Sequence, residues 1–154
     1  MSPAKWSSCP YLFIRGYPIH GCDYFADDTL ETAALKRWGN GDPSGFLEIS
    51  APAVTYFDPF LSARLDGLPA LSAYYETLRG KVHIDRFELL APRVEASHGL
   101  AVLSFNFFSY SGAATQRWHC TEVYRHTEVG WRILQTHWSI SQPLAPTPNT
   151  ESAA

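Results

Sequence analysis

The sequence predicts an α+β domain in which three N-terminal helices pack against a curved antiparallel β-sheet and enclose a pocket. Three observations predict it. Helical apolar spacing is confined to the first half of the chain, β-prone runs separated by turn residues fill the second, and aromatic residues make up 14% of the composition. Helices first and strands afterwards give an α+β layering, not a parallel βαβ one. A sheet face covered by helices but not filled leaves a cone-shaped cavity, a common place for a small-molecule site. The aromatic content fits rings lining that cavity, and equally a bulky core.

A chain of 154 residues suits one core. Residues 1–26 lack periodicity and read as an irregular arm, residues 27–142 as the folded domain, and residues 143–154, rich in Pro and small polar residues, as a disordered tail. The domain opens with a helix capped by Asp28, with Glu31 placed to complete a capping box. Leu30, Ala34 and Trp38 share its apolar face, and Gly39-Asn40-Gly41 ends it. Asp42-Pro43 starts a second helix carrying Phe46, Leu47 and Ile49, which stops before Ala51-Pro52. A short strand, Val54–Phe57, ends at Asp58-Pro59. Leu68, Leu71, Tyr75 and Leu78 mark a third helix that Gly80 terminates. From Val82 onward the pattern is that of strands, with Val102–Tyr110, Trp118–Arg125 and Trp131–Ile140 joined by turns at Ser111-Gly112 and Val129-Gly130.

Several function classes are disfavoured. Net charge is -3 and no basic run occurs, which argues against nucleic-acid binding. No stretch approaches the roughly 20 apolar residues of a membrane span. Arg15 interrupts the apolar Tyr11–Ile14, so no signal peptide is read and a cytoplasmic location is expected. Cys9, Cys22 and Cys120 show no CxxC spacing; reduced thiols are expected, with a Cys9–Cys22 link left open. The histidines lack HxH or HExxH spacing, so no metal is expected. Without a phosphate-cradling loop, GxSxG or dinucleotide fingerprint, no cofactor is expected either.

Two acids stand out. Asp58 follows an apolar strand, and period-two alternation points it where Tyr56 points. A carboxylate that loses hydration beside an apolar cavity is a candidate base at neutral pH. Asp before Pro is also a common turn cap, and both readings stand. In Trp118–Tyr124, alternation puts Trp118, Cys120, Glu122 and Tyr124 on one face. Glu122 there is either a neutral proton donor to a ligand or a structural acid satisfied by Arg117, Arg125 or Arg132.

Leu35-Lys-Arg-Trp-Gly-Asn-Gly-Asp42, Val54-Thr-Tyr-Phe-Asp-Pro59, Gly67 and Ala73-Tyr-Tyr75 resemble the first half of a ketosteroid-isomerase or SnoaL-like domain of the NTF2-like superfamily. Cys120-Thr-Glu-Val-Tyr-Arg125 and Trp131–Ser139 are similar to that family's last two strands. The resemblance spans residues 28–141 and implies an NTF2-like cone. It places Asp58 where the isomerases keep the base that moves a proton between carbons. Glu122 falls where they keep a protonated acid facing the enolate, a role ketosteroid isomerase itself exemplifies, and Tyr75 falls at a supporting tyrosine. Phe105, Phe107, Trp118 and Trp138 match pocket-lining positions, to which Trp38, Tyr56 and Tyr124 are added as substrate-binding candidates. The family's principal phenol on the first helix is replaced here by Ala34.

Two functions follow as expectations. One is cofactor-independent acid–base catalysis of isomerase, cyclase or dehydratase type on a small apolar carbonyl compound, with Asp58, Glu122 and Tyr75 catalytic; epoxide hydrolysis is a neighbouring chemistry. The other is a non-catalytic ligand-binding or dimerisation module. Under either, apolar and aromatic residues on the opposite sheet face, Val102, Phe108 and Tyr110, point to a homodimer.

Overall fold

Helix α1 (Glu31–Gly39) forms where Ala34, Leu35 and Trp38 share an inward face, with Lys36 and Arg37 in the last turn, where cations favour the helix dipole. The computed structural model describes residues 30–141 and, further toward the N-terminus, only the backbone of two short paired strands, β1 (Leu12–Ile14) and β2 (Tyr17–Ile19). The Asp28 cap, the Cys9–Cys22 link and the C-terminal tail lie outside the described residues. Glu31 is the first residue of α1, and its carboxyl turns inward, away from the solvent-facing capping role the sequence suggested.

Helix α2 (Ser44–Ile49) begins one residue later than the Asp-Pro signal indicates. Pro43 takes the cap position, and Asp42 Oδ1 accepts the Ser44 N–H at 3.0 Å. The helix runs straight into β3 (Ser50–Phe57), which is twice as long as its sequence signal because Ser50–Ala53 also extends. A two-residue strand, β4 (Leu65–Asp66), pairs with β3 and precedes α3 (Leu68–Leu78), which carries Pro in its first turn. Then β5 (Arg86–Ser97), β6 (Leu100–Ser111), β7 (Ala114–Thr127) and β8 (Gly130–Ile140) form the long meander.

The six strands lie in the order β4-β3-β8-β7-β6-β5. All pairings are antiparallel except β3 with β8, which run parallel, so the sheet is mixed. The departure has a topological cause: β3 enters before α3 and the meander, and it lies between β4 and the last strand. β5 bends where the register slips between Leu90 and Arg93 and Ala91 adopts φ 50°, a bulge that curls the sheet toward the helices. The inner face of β6 buries Ala101, Leu103, Phe105, Phe107 and Ser109, and that of β7 buries Cys120, Glu122 and Tyr124. Helices on one side and a curled sheet on the other make an open cone.

The corner between helices is pinned at backbone level. Gly80 N–H donates to Gly41 O at 2.8 Å, and Gly41 holds φ +80°. A Cβ on Gly41 would stand 2.9 Å from Gly80 Cα, with no flexible atom to give way. Gly41→Ala is therefore expected to cost about 2 kcal/mol or more. Gly80→Ala, equally left-handed at φ +74° but in open space, is expected to cost only about 1 kcal/mol. Urea unfolding of both variants checks the ordering.

Candidate active-site cavity

A cavity of about 380 Å³ lies between the helices and the inner face of the sheet. Strand register decides which side chains reach it. Phe107 pairs with Trp118 in one row; Phe105, Cys120 and Trp138 make the next; Leu103, Glu122 and Thr136 make the third. Phe107, Trp118 and Trp138 form the sheet wall. Phe105 stands off the wall, edge-on to Trp138 with ring centroids 5.7 Å apart. From the helical side come Leu35, Trp38, Phe46 and Tyr75, with the Trp38 and Tyr75 rings 4.9 Å apart.

Asp58 sits on this wall, half-buried, where β3 turns away. Oδ1 accepts the Phe60 N–H at 2.8 Å, and Oδ2 accepts the Tyr56 hydroxyl at 2.9 Å. The turn-cap reading of this residue is seen directly in one oxygen, and the other oxygen joins the cavity's phenols. Tyr74, which also lines the cavity, reaches the same carboxylate. Burial, with the Asp58 charge and hydrogen bond behind it, pushes the Tyr74 phenol up to about 12. Burial raises the Tyr56 and Tyr75 phenols as well, and their rings meet edge to face with centroids 5.4 Å apart. The wall therefore presents neutral O–H donors around a carboxylate. A carboxylate offers about four lone-pair directions, and the Phe60 N–H and Tyr56 hydroxyl occupy two of them.

Glu122 lies elsewhere. It is fully buried but absent from the cavity wall. Four strand residues separate it from Trp118, roughly 13 Å, which carries it under the N-terminus of α1. Thr136 Oγ1 donates to Glu122 Oε1 at 2.9 Å, and the Tyr124 hydroxyl contacts Glu122 Oε2 closely and Glu31 Oε2 at 2.9 Å. Among the described residues no arginine reaches it: Arg117 and Arg125 are exposed, and Arg132 bonds the Trp131 carbonyl. A second acid, Glu31, meets it across the Tyr124 hydroxyl instead. Burial, then the neighbouring Glu122 and their shared hydrogen bond, hold the Glu31 pKa well above 4.5, which favours its neutral form. Burial, reinforced by both acids, likewise raises the Tyr124 phenol and the Cys120 thiol and keeps them neutral.

The structure thus brings Asp58, Tyr75, Trp38, Tyr56, Phe107, Trp118 and Trp138 to one cavity and leaves Phe105, Glu122 and Tyr124 behind it. Sequence reasoning missed Tyr74 and Glu31. The signal for Tyr74 was present, three residues after Leu71 and four before Leu78, inside a wide apolar stripe. Glu31 was hidden by its resemblance to a capping residue.

Comparison with known proteins fixes the family. The description "SnoaL-like domain" matches residues 30–143. The chain belongs to the SnoaL-like domain family, within the NTF2-like superfamily. A crystal structure of a ketosteroid-isomerase candidate from Parabacteroides distasonis ATCC 8503 is 35% identical, with a TM-score of 0.67 over 80% of this chain and 96% of that one. An NTF2-like protein from Pseudomonas putida KT2440 is 22% identical, with a TM-score of 0.66 over 75% and 84% of the two chains. The S. rosetta CaMKII hub is 19% identical, with a TM-score of 0.60 over 73% and 92%. The last two likenesses carry the fold alone. No curated protein matches the sequence. Solved structures of this fold thus include both an isomerase candidate and a hub. Among its described residues, no helix is long and apolar enough to cross a membrane.

Proposed function

We propose that this SnoaL-like domain moves a proton on a small apolar carbonyl compound without a cofactor, with Asp58 as the base. The observation that carries the reading is the Asp58 carboxylate on an aromatic-walled cavity, held by Tyr56 and the Phe60 N–H. Asp58 takes the proton from the carbon next to the carbonyl. The C–H electron pair moves into the carbonyl, whose oxygen gains charge and accepts a hydrogen bond from the Tyr75 phenol, the buried donor on the wall. Protonated Asp58 then returns the proton to a conjugated carbon, which completes an isomerisation; where the enolate carries a β-hydroxyl, that group instead leaves as water with the proton from Asp58, which is a dehydration. Glu122, behind the wall, supports this site by packing and touches no substrate.

The test is deuterium exchange. Wild-type protein in D₂O is expected to exchange the α-hydrogens of at least one apolar ketone that binds the cavity. Binding without exchange across a panel of enolisable ketones would leave a binding module as the better account.

That second reading has an observation of its own. The outer sheet face exposes Leu100 and Val102, while Phe108 and Tyr110 lie beneath the Arg117 and Arg86 guanidinium groups. A homodimer through this face is compatible with either function. Sedimentation of wild type and Val102→Glu tests it, with the variant expected to shift toward monomer.

A further inference from the structure

The cavity carries a cation as well as a base. Lys81 lines it from the turn after α3, together with His83 from the same segment. Every other cation of that corner is spoken for. Arg37 holds Asp42 at 2.7 Å and Glu48 at 2.8 Å; Arg79 holds Glu76 at 2.6 Å and the same Asp42 at 2.9 Å. The His83 ring sits 2.8 Å from Asp85. Lys81 makes no ion pair among the described residues, in a chain that has 15 acids to 12 Lys and Arg.

Nor is Lys81 on a loose loop. Its N–H donates to Leu78 O at 2.9 Å; Gly80 is tied to Gly41, Ile84 N–H to Gly39 O at 2.9 Å, and the Ser111 hydroxyl to His83 O at 2.6 Å. The backbone that presents the ammonium is thus anchored on both sides. Lys81 enters from the turn beyond the C-terminus of α3, whereas Asp58 enters from the end of β3. Asp58 and Lys81 both line the cavity without pairing, and most of the other lining side chains are aromatic or aliphatic.

We infer that the guest is an apolar organic anion, with its rings between Trp38 and Trp118 and its anionic group at Lys81. Such a ligand would supply an ion partner for Lys81, and place its neutral, reacting end near Asp58. Lys81 is a specificity-determining residue. The inference rests on the cavity being the ligand site, and it does not need Asp58 to be a base.

Two fluorescent probes test it: 1-anilinonaphthalene-8-sulfonate, an aromatic monoanion, and N-phenyl-1-naphthylamine, its uncharged parent. Lys81→Met keeps the apolar stem and removes the charge. It is expected to raise the Kd of the sulfonate about three- to fivefold, the range of an exposed ion pair, and to leave the neutral probe within about twofold. The difference should shrink as salt screens the pair. Lys36→Met, on α1 away from the cavity wall, should change neither probe. Equal effects of Lys81→Met on both probes, or none on the sulfonate, would overturn the inference while leaving the acid–base reading intact. Failure of both probes to bind wild type would overturn the ligand site itself.

Discussion

Asp58→Asn is expected to lower turnover of an enolisable substrate by about two to four orders of magnitude, with stability within about 1 kcal/mol of wild type. An amide is isosteric with the carboxylate but cannot take a proton. Its one carbonyl oxygen can still receive either the Phe60 N–H or the Tyr56 hydroxyl, so only one of the two bonds at 2.8 and 2.9 Å is lost. The cavity walls are rings from other elements, so KM should stay within about threefold of wild type. Asp58→Glu tests position apart from basicity. It retains a carboxylate but displaces it by a methylene, and a misplacement of about 1 Å already costs on the order of a hundredfold. Tyr75→Phe removes the proposed oxyanion donor and is expected to lower kcat by about ten- to a thousandfold. Equal kcat for wild type and Asp58→Asn would remove Asp58 from the chemistry, whatever the other variants do.

The sequence displayed local order well and long-range order poorly. The stripe Leu71, Tyr75, Leu78 located α3, and alternation through Cys120, Glu122 and Tyr124 identified the inner face of β7. Both patterns are set by neighbours a few residues apart. The parallel pairing of β3 with β8 joins residues some eighty positions apart, Thr55 with Gln135, and no local period records it. The same gap explains the site. Alternation says that Trp118 and Glu122 share a face, yet only register and the seat of α1 decide that one meets the cavity and the other the buried acid. Asp58 was legible because its turn, its strand and Tyr56 are all contiguous. Lys81 was not, since its meaning depends on Arg37 and Arg79 consuming the neighbouring acids.

The buried acids give the largest expected effect on stability. Glu122→Ala removes the acceptor for the Thr136 and Tyr124 hydroxyls and leaves a void in a fully closed site. The Thr136 hydroxyl loses its acceptor while Tyr124 keeps its contact to Glu31, so the lost bond and lost packing should together cost about 2–4 kcal/mol, a large share of the roughly 5–15 kcal/mol that holds a domain folded. Glu31 sets the pH dependence. Its pKa in the fold is raised above the ordinary 4.5, chiefly by burial and then by Glu122, so the folded state binds a proton that the unfolded chain releases. The stability tied to that proton is fully present below 4.5 and is lost as pH rises through the folded value. Within that window the slope should approach about 1.4 kcal/mol per pH unit for one proton. Glu31→Gln is neutral at every pH, and its amide can donate to the Tyr124 oxygen or to Glu122. Its stability should match wild type in mild acid and exceed it increasingly toward alkaline pH. Urea midpoints measured from about pH 5 to about pH 8 distinguish the cases, because titrations elsewhere cancel in the difference. Parallel curves for the two proteins would mean that Glu31 does not carry the proton, and that the pair is neutralised in another way.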